Sequence, residues 1–291
     1  MRKLTAPDVK NANQILNRAI EMKRIEAYIQ CLSTKQEYIK LRYKEYESNL
    51  THLEGISESV IESQNDYEAI SSMFTSSFTK KMKKEELAQV YQECGGICPF
   101  CNIRKIEEID HYIPKKPYPE FTLYPLNLIP ICNKCNKKKG DMFVDDAKQR
   151  YFINFYSDNI DNAVFLKVTI SFDTADVKKT TKIKYEADFS KITDDYLKGI
   201  VEKHYIKLGL IKKYEEEAGE EVSNLFDILM NQDDNNKEEI KNAISRIVIG
   251  TKNKQLKQAG KNDWKYLLYE EMIRVAYVEE MVDYICERGN Q

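Results

Sequence analysis

Residues 98–140 read CPFCNIRKIEEIDHYIPKKPYPEFTLYPLNLIPICNKCNKKKG, and this stretch decides the fold. It opens on Cys98-Pro99-Phe100-Cys101 and closes on Cys132-Asn133-Lys134-Cys135. Each pair, with two residues between its cysteines, makes a knuckle that presents two thiolates to one side. Four thiolates complete a tetrahedral zinc shell. A closed shell has no open position, so this Zn2+ is structural. It staples a loop-rich segment that buries too little apolar surface to hold itself. One such pair alone would be weak evidence, because redox motifs share the spacing. Two pairs in one short segment are strong. Cys94 is out of phase with the first knuckle and reads as a packing residue.

Between the knuckles the order is strand, loop, strand, helix. Glu107–Pro114 carries an Asp110-His111 pair near a strand end, and Pro114 stops the strand. Pro117, Tyr118 and Pro119 mark a loop, and Tyr124–Pro130 is a second short strand. The second knuckle then opens a helix through Asn136, Lys137, Lys138 and Lys139. These residue types suit phosphodiester hydrolysis. A histidine that titrates near neutrality takes a proton from water. A divalent cation on hard oxygen ligands offsets the charge that builds on phosphate and leaving oxygen. Basic side chains crowd the same stretch (Arg104, Lys105, Lys115, Lys116, Lys134, Lys137, Lys138 and Lys139). They face four acids, Glu107, Glu108, Asp110 and Glu120. A local positive excess suits contacts with backbone phosphates, and Lys80, Lys81, Lys83 and Lys84 add to it.

This segment resembles the HNH endonuclease family, whose ββα-metal fold carries Asp-His, then Asn, then His or Asn at the start of a helix. The resemblance covers about a seventh of the chain. It implies that His111 is the general base and that Asp110 and Asn136 hold a catalytic Mg2+ or Mn2+. The family often has histidine where Asn136 stands, and the carbonyl oxygen here favours the harder metals. It implies that Asn127 fixes the loop between the strands and orients the histidine. Lys115, Lys116, Lys137 and Lys139 are the expected nucleic-acid contacts. A narrower resemblance rests on His111–Phe121 (HYIPKKPYPEF), Asn127–Cys132 (NLIPIC) and Asn262–Tyr269 (NDWKYLLY). These are similar to HNH subunits of bacterial anti-phage systems of the Septu and retron-associated types. That similarity implies a defence role and flanking helices that bind a partner ATPase.

The rest of the 291 residues frames this core. A formal net charge of −2 does not suit a protein that merely coats nucleic acid, so binding falls to local patches or a partner. No apolar run reaches the length of a membrane span, and the charged start Met1–Lys10 lacks the apolar core of a signal peptide. A cytoplasmic protein is expected, in which the seven cysteines stay reduced. Residues 7–54 have a helical rhythm, read as one long helix or as two with a break near Ser33-Thr34. Gly55–Thr79 is a serine-rich connector with one helical stretch, followed by a helix over Glu85–Cys94 that Gly95-Gly96 ends. Phe143–Tyr156 reads as mixed helix and loop. Val164–Phe172 and Lys182–Phe189 alternate and form a hairpin. Helices follow over Thr193–Ala218, continued by Ser223–Met230, then over Glu238–Ile249 and Asp263–Arg288, with Gln232–Lys237 a polar linker. Cys31 and Cys286 read as core, and the lone histidines His52 and His204 receive no role.

The expected fold class is α+β, mainly α-helical: a small zinc-stapled ββα-metal core flanked by long helices and a β-hairpin. Three regions are expected: an N-terminal helical region at 1–90, the nuclease core at 91–160, and a C-terminal hairpin and helical region at 161–291 that binds a partner. The function read from these features is a metal-dependent endonuclease, with DNA ahead of RNA as substrate. Two other readings stand beside it. One is a zinc-stapled nucleic-acid-binding module or subunit that does not cut by itself. The other is an RNA-cleaving effector acting on tRNA.

Overall fold

The computed structural model describes residues 1–61, 63–75, 80, 85–230 and 237–289. Of the lysine run at 80–84 only Lys80 is described, and of the linker Gln232–Lys237 only Lys237; the remainder of both lies outside the described residues, as does the end of the serine-rich connector.

The fold is α+β and mainly helical. Helices α1 (Ala12–Glu21) and α2 (Glu26–Ser48) come first, then α3 (Gln64–Ser71) and α4 (Ala88–Glu93). Strands β1 (Glu108–His111) and β2 (Leu128–Ile131) pair antiparallel, with Asp110 opposite Ile129 and His111 opposite Leu128. Helix α5 (Asn133–Lys139) follows at once. This is the strand, loop, strand, helix order that the sequence leads one to expect. Strands β3 (Leu166–Ser171) and β4 (Lys182–Ala187) form the expected hairpin. Leu166, Val168 and Ile170 are buried while the residues between them are exposed, the period of a half-covered sheet. The short helix α6 (Val177–Thr180) sits in its turn. Helices α7 (Asp195–Leu208), α8 (Leu210–Met230), α9 (Lys237–Ala259), α10 (Trp264–Arg274) and α11 (Tyr277–Gly289) complete the chain. Among the described residues no helix is long and apolar enough to cross a membrane.

Several boundaries depart from expectation, each for a local reason. The first break falls at Met22–Ile25, not at Ser33-Thr34. The Thr34 hydroxyl donates back to the Gln30 carbonyl at 2.9 Å, so the helix absorbs it. The turn at 22–25 is anchored instead by Lys23, whose Nζ donates to the carbonyl and hydroxyl of Ser72. The stretch 193–218 is two helices, because Gly209 takes the left-handed conformation (φ 64°) that caps α7. The last helix is split at Ala276, with φ 54°. Residues 143–156 contain no helix. Val144 bridges Arg150, and Phe152, Phe155 and Tyr156 turn inward behind the first knuckle.

The helices on either side grip the core segment directly. Helix α2 lies along the loop between β1 and β2. Arg42 Nε is 2.7 Å from Glu120 Oε1, and both side chains are buried. The Tyr46 hydroxyl donates to Leu126 O, and the Tyr124 hydroxyl donates to Glu47 at 2.7 Å. The rings of Tyr43 and Tyr124 stack with centroids 4.3 Å apart. On the other side α5 packs on α7, and Lys138 Nζ donates to Leu208 O at 2.8 Å. Breaking a buried ion pair such as Arg42–Glu120 leaves an uncompensated charge, so the loop's shape is tied to a helix some eighty residues earlier in the chain.

Candidate functional site

The four cysteines converge. The Sγ atoms of Cys98, Cys101, Cys132 and Cys135 lie within 4.8 Å of one another, and all four residues are buried. Cys101 and Cys132 sulfurs are 4.0 Å apart. Four sulfurs around one zinc at about 2.3 Å stand about 3.8 Å from each other, so this set is close to the size that the ion requires. The local sequence explains the convergence. The Cys98 N–H donates to Arg104 O, and the Asn102 N–H donates back to Cys98 O, each at 2.8 Å. Asn102 turns the knuckle with φ 53°, a conformation that asparagine tolerates better than most. Trp264 Nε1 clamps this turn by donating to Asn102 O at 2.9 Å. Cys132 is the N-cap of α5, and its sulfur accepts from the Cys135 N–H. The soft, closed donor set fits a structural Zn2+. Cys94 is buried outside the cluster, and Cys31 and Cys286 are half-buried in helices.

Side chains alternate along β1. Ile109 and His111 are buried, while Glu108 and Asp110 are half-buried on the face toward α5. His111 is 4% exposed. Its Nε2 lies 2.9 Å from the carbonyl oxygen of Thr122. A carbonyl only accepts, so Nε2 carries the hydrogen and Nδ1 carries the lone pair. Nδ1 makes no hydrogen bond among the described residues. Burial pushes the His111 pKa down to about 3 against the pull of the Thr122 carbonyl, and the ammonium groups of Lys115 and Lys139 push the same way. The ring is therefore neutral at neutral pH, with Nδ1 the basic atom. Phe74 packs against it in a T-shaped pair, with centroids 4.6 Å apart and planes at 68°.

The α5 face of β1 gathers oxygen atoms. Asn136 Nδ2 donates to Glu108 Oε2, and Asn133 Nδ2 donates to Glu108 Oε1 at 2.8 Å. With its nitrogen so engaged, Asn136 leaves its amide oxygen without a hydrogen bond among the described residues. Asp110 has one oxygen, Oδ2, shielded from solvent and 2.9 Å from Lys139 Nζ. No other cation pairs with Asp110 among the described residues. The Asp110 and Asn136 oxygens are hard donors of the kind that Mg2+ and Mn2+ prefer.

Asn127 is wholly buried and staples the loop. Its Oδ1 accepts from the Ile113 N–H at 2.7 Å, and its Nδ2 donates to the carbonyls of Ile113 and Phe121. The carbonyl that holds His111 is the next one along, at Thr122.

The four lysines expected at phosphates divide. Lys116 and Lys137 are exposed and make no ion pair among the described residues; Lys115 is half-buried, its ammonium 5.8 Å from the Phe74 ring centroid. Lys139 corrects the expectation. It is 1% exposed, and its ammonium is taken up inside the protein. Other contributors carried some sequence signal. Glu108 is two residues before Asp110 and so shares its strand face. Asn133, Asn136 and Lys139 recur at the three-residue spacing of one helix face. The Thr122 carbonyl and the Phe74 ring had no such signal.

Residues 92–142 match the family model of the HNH endonuclease. Over 58 residues the chain is 47% identical to Protein ea31 of Escherichia phage lambda, a match covering 19% of this chain and 20% of that protein. Over 62 residues it is 37% identical to Septu protein PtuB of Bacillus thuringiensis, covering 20% of this chain and 23% of that one. The matched stretches thus span about a fifth of each relative. No solved structure matches the chain.

Proposed function

We propose that the chain is a metal-dependent HNH endonuclease that hydrolyses phosphodiester bonds, DNA first, and that it serves as a cytoplasmic anti-phage effector with an ATPase partner. The observation that carries the chemistry is the tethered imidazole of His111. Its Nε2–H is spent on the Thr122 carbonyl, and its Nδ1 lone pair is unspent. An imidazole held in one tautomer with one bare nitrogen is set up as a base.

In this reading Nδ1 of His111 takes the proton of the attacking water as oxygen bonds to phosphorus. The bond from phosphorus to the leaving oxygen then breaks. A pKa near 3 makes a weak base, and an arriving phosphate raises it, because negative charge beside the ring favours the imidazolium. Asn127 keeps the loop shape that points the Thr122 carbonyl at Nε2. Asp110 and Asn136 would hold a divalent cation, which supplies positive charge to the phosphate and the departing oxygen when bound. Lys115, Lys116 and Lys137 would meet backbone phosphates. Cys98, Cys101, Cys132 and Cys135 would hold a Zn2+ that ties the first knuckle to the start of α5 and so keeps the ligand helix against β1. The defence role and the ATPase partner rest on the similarity to the Septu protein and on the helices that flank the core.

The test is cleavage of plasmid DNA, single-stranded DNA and total RNA by zinc-loaded protein with Mg2+ or Mn2+, beside His111→Ala. Metal-dependent cutting of DNA is expected, with a loss of at least about 100-fold in the variant. Equal cutting by the variant removes His111 from the chemistry. Cutting of RNA alone makes the chain an RNA-cleaving effector. No cutting of any substrate by zinc-loaded protein removes the autonomous nuclease and leaves a nucleic-acid-binding module or a partner-dependent subunit.

A further inference from the structure

Lys139 is a buried cation that the proposed chemistry does not use. An ammonium has three N–H donors; here two of them go to backbone carbonyls, and the charge lies against a carboxylate. Nζ is 2.9 Å from Asp110 Oδ2, 2.8 Å from His111 O and 3.3 Å from Gly140 O. Gly140 ends α5 with φ 50°, a left-handed conformation that lets the chain fold its own carbonyl back toward that ammonium. The side chain is 1% exposed, which keeps a phosphate away from the ammonium. The same ammonium thus joins the backbone of the general base to the carboxylate beside it.

We propose that Lys139 is a positioning residue of the divalent-cation site, one that fixes Asp110 and His111 and in doing so weakens the cation's binding. The inference rests on the proposed cation ligands Asp110 and Asn136. Two physical effects oppose each other. Lys139 ties off one oxygen of Asp110, so the carboxylate offers a single oxygen in a single orientation. It also places a positive charge on the carboxylate that a divalent cation would share, and like charges at this range repel strongly in a half-buried site. The Coulomb effect decides affinity and the orientation effect decides rate. Removing the charge therefore tightens cation binding while slowing the reaction. Neither a phosphate contact nor a purely structural lysine gives that pair of changes.

The experiment uses the full zinc-loaded chain and Lys139→Met, which keeps the length of the side chain without its charge. Lys139→Gln is the second variant, keeping a donor. Free Mn2+ is followed by electron paramagnetic resonance without nucleic acid. Nucleic-acid affinity is followed separately with metal chelated outside the zinc site, across a salt series. The expected result is a Mn2+ affinity at least about tenfold higher in the variants, an unchanged salt slope, and slower cutting at saturating Mn2+. Mn2+ affinity that is unchanged or weaker, in variants that keep their zinc, overturns the role. A salt slope reduced by about 1 returns Lys139 to phosphate contact. Loss of zinc and fold in both variants assigns it to the fold instead. If wild type itself binds no Mn2+, the cation site on Asp110 and Asn136 falls, and this role falls with it.

Discussion

His111 and His204 are both buried imidazoles, and burial drives both pKa values down, to about 3 and about 4. Their surroundings separate them. His204, on α7, sits behind the first knuckle among Phe100, Phe152 and Phe155. Its Nδ1 accepts from the Ile153 N–H at 3.3 Å, and its Nε2 donates to Phe100 O at 2.8 Å. Both nitrogens are occupied by backbone, so the ring is a strut between α7 and the zinc segment. His111 has one nitrogen occupied by backbone and one bare. Burial alone therefore does not distinguish a structural histidine from a reactive one. The number of ring nitrogens that the protein has already satisfied does.

The largest effect should come from removing the strut. His204→Ala leaves the Ile153 N–H and the Phe100 carbonyl buried without partners and opens a cavity among three aromatic rings. A loss of about 4 kcal/mol of stability is expected, read by urea unfolding of the zinc-loaded protein. Cutting per zinc-loaded chain should stay at the wild-type rate, because the ring touches neither Asp110 nor the loop at 121–127. A stable variant that fails to cut would erase the contrast between the two histidines.

Acid should probe the same contrast more gently. The folded pKa of His204 lies below its ordinary value of 6.5, so the unfolded chain binds a proton that the folded chain refuses. Stability from this group is whole above about pH 6.5 and is lost as pH falls toward 4. A shift from 6.5 to about 4 amounts to about 3 kcal/mol. Acid also works on the thiolates, so the measurement is the difference between wild type and His204→Gln from pH 7 to 4. A gap that narrows as pH falls supports the assignment. A gap constant with pH means that the ring is not held neutral.

What was legible in the sequence was what short-range spacing encodes. Two pairs of cysteines and an alternating strand with Asp110-His111 need only local geometry to be read, and the four cysteine sulfurs converge. The α+β class, mainly helical, was legible from the sparse glycine and proline and the helical rhythm. The long-range links were not. Nothing near Glu120 announces Arg42, and nothing near Asn127 announces the Tyr46 hydroxyl, 3.3 Å from its Oδ1. His204 looked like a lone histidine because its two partners are backbone atoms, which carry no residue identity. Lys139 was read from charge density as a phosphate contact. Its burial depends on which face of α5 turns toward β1, a fact visible only with the strand in place.

The smallest effect, and the sharpest for the comparison, concerns access to the bare nitrogen. Phe74 is half-buried, packed at a steep angle against His111 and 5.8 Å from the Lys115 ammonium. The ring thus neighbours both the base and a lysine proposed to meet phosphate. Phe74→Ala should cost only about 1 kcal/mol, because the ring is partly in water already. It should leave the hydrogen bond from Nε2 to Thr122 intact while opening space beside the imidazole. Carbethoxylation by diethyl pyrocarbonate attacks a neutral ring nitrogen that has a lone pair and room to react. His111 in the variant should therefore react several-fold faster than in wild type at neutral pH. His204 should stay unreactive in both, its one lone pair being held by the Ile153 N–H. Equal His111 rates would mean that Nδ1 is already reachable and that Phe74 is no barrier. Reaction at His204 would mean that its two backbone bonds open as readily as the packing around His111, and the distinction between the two rings would fall.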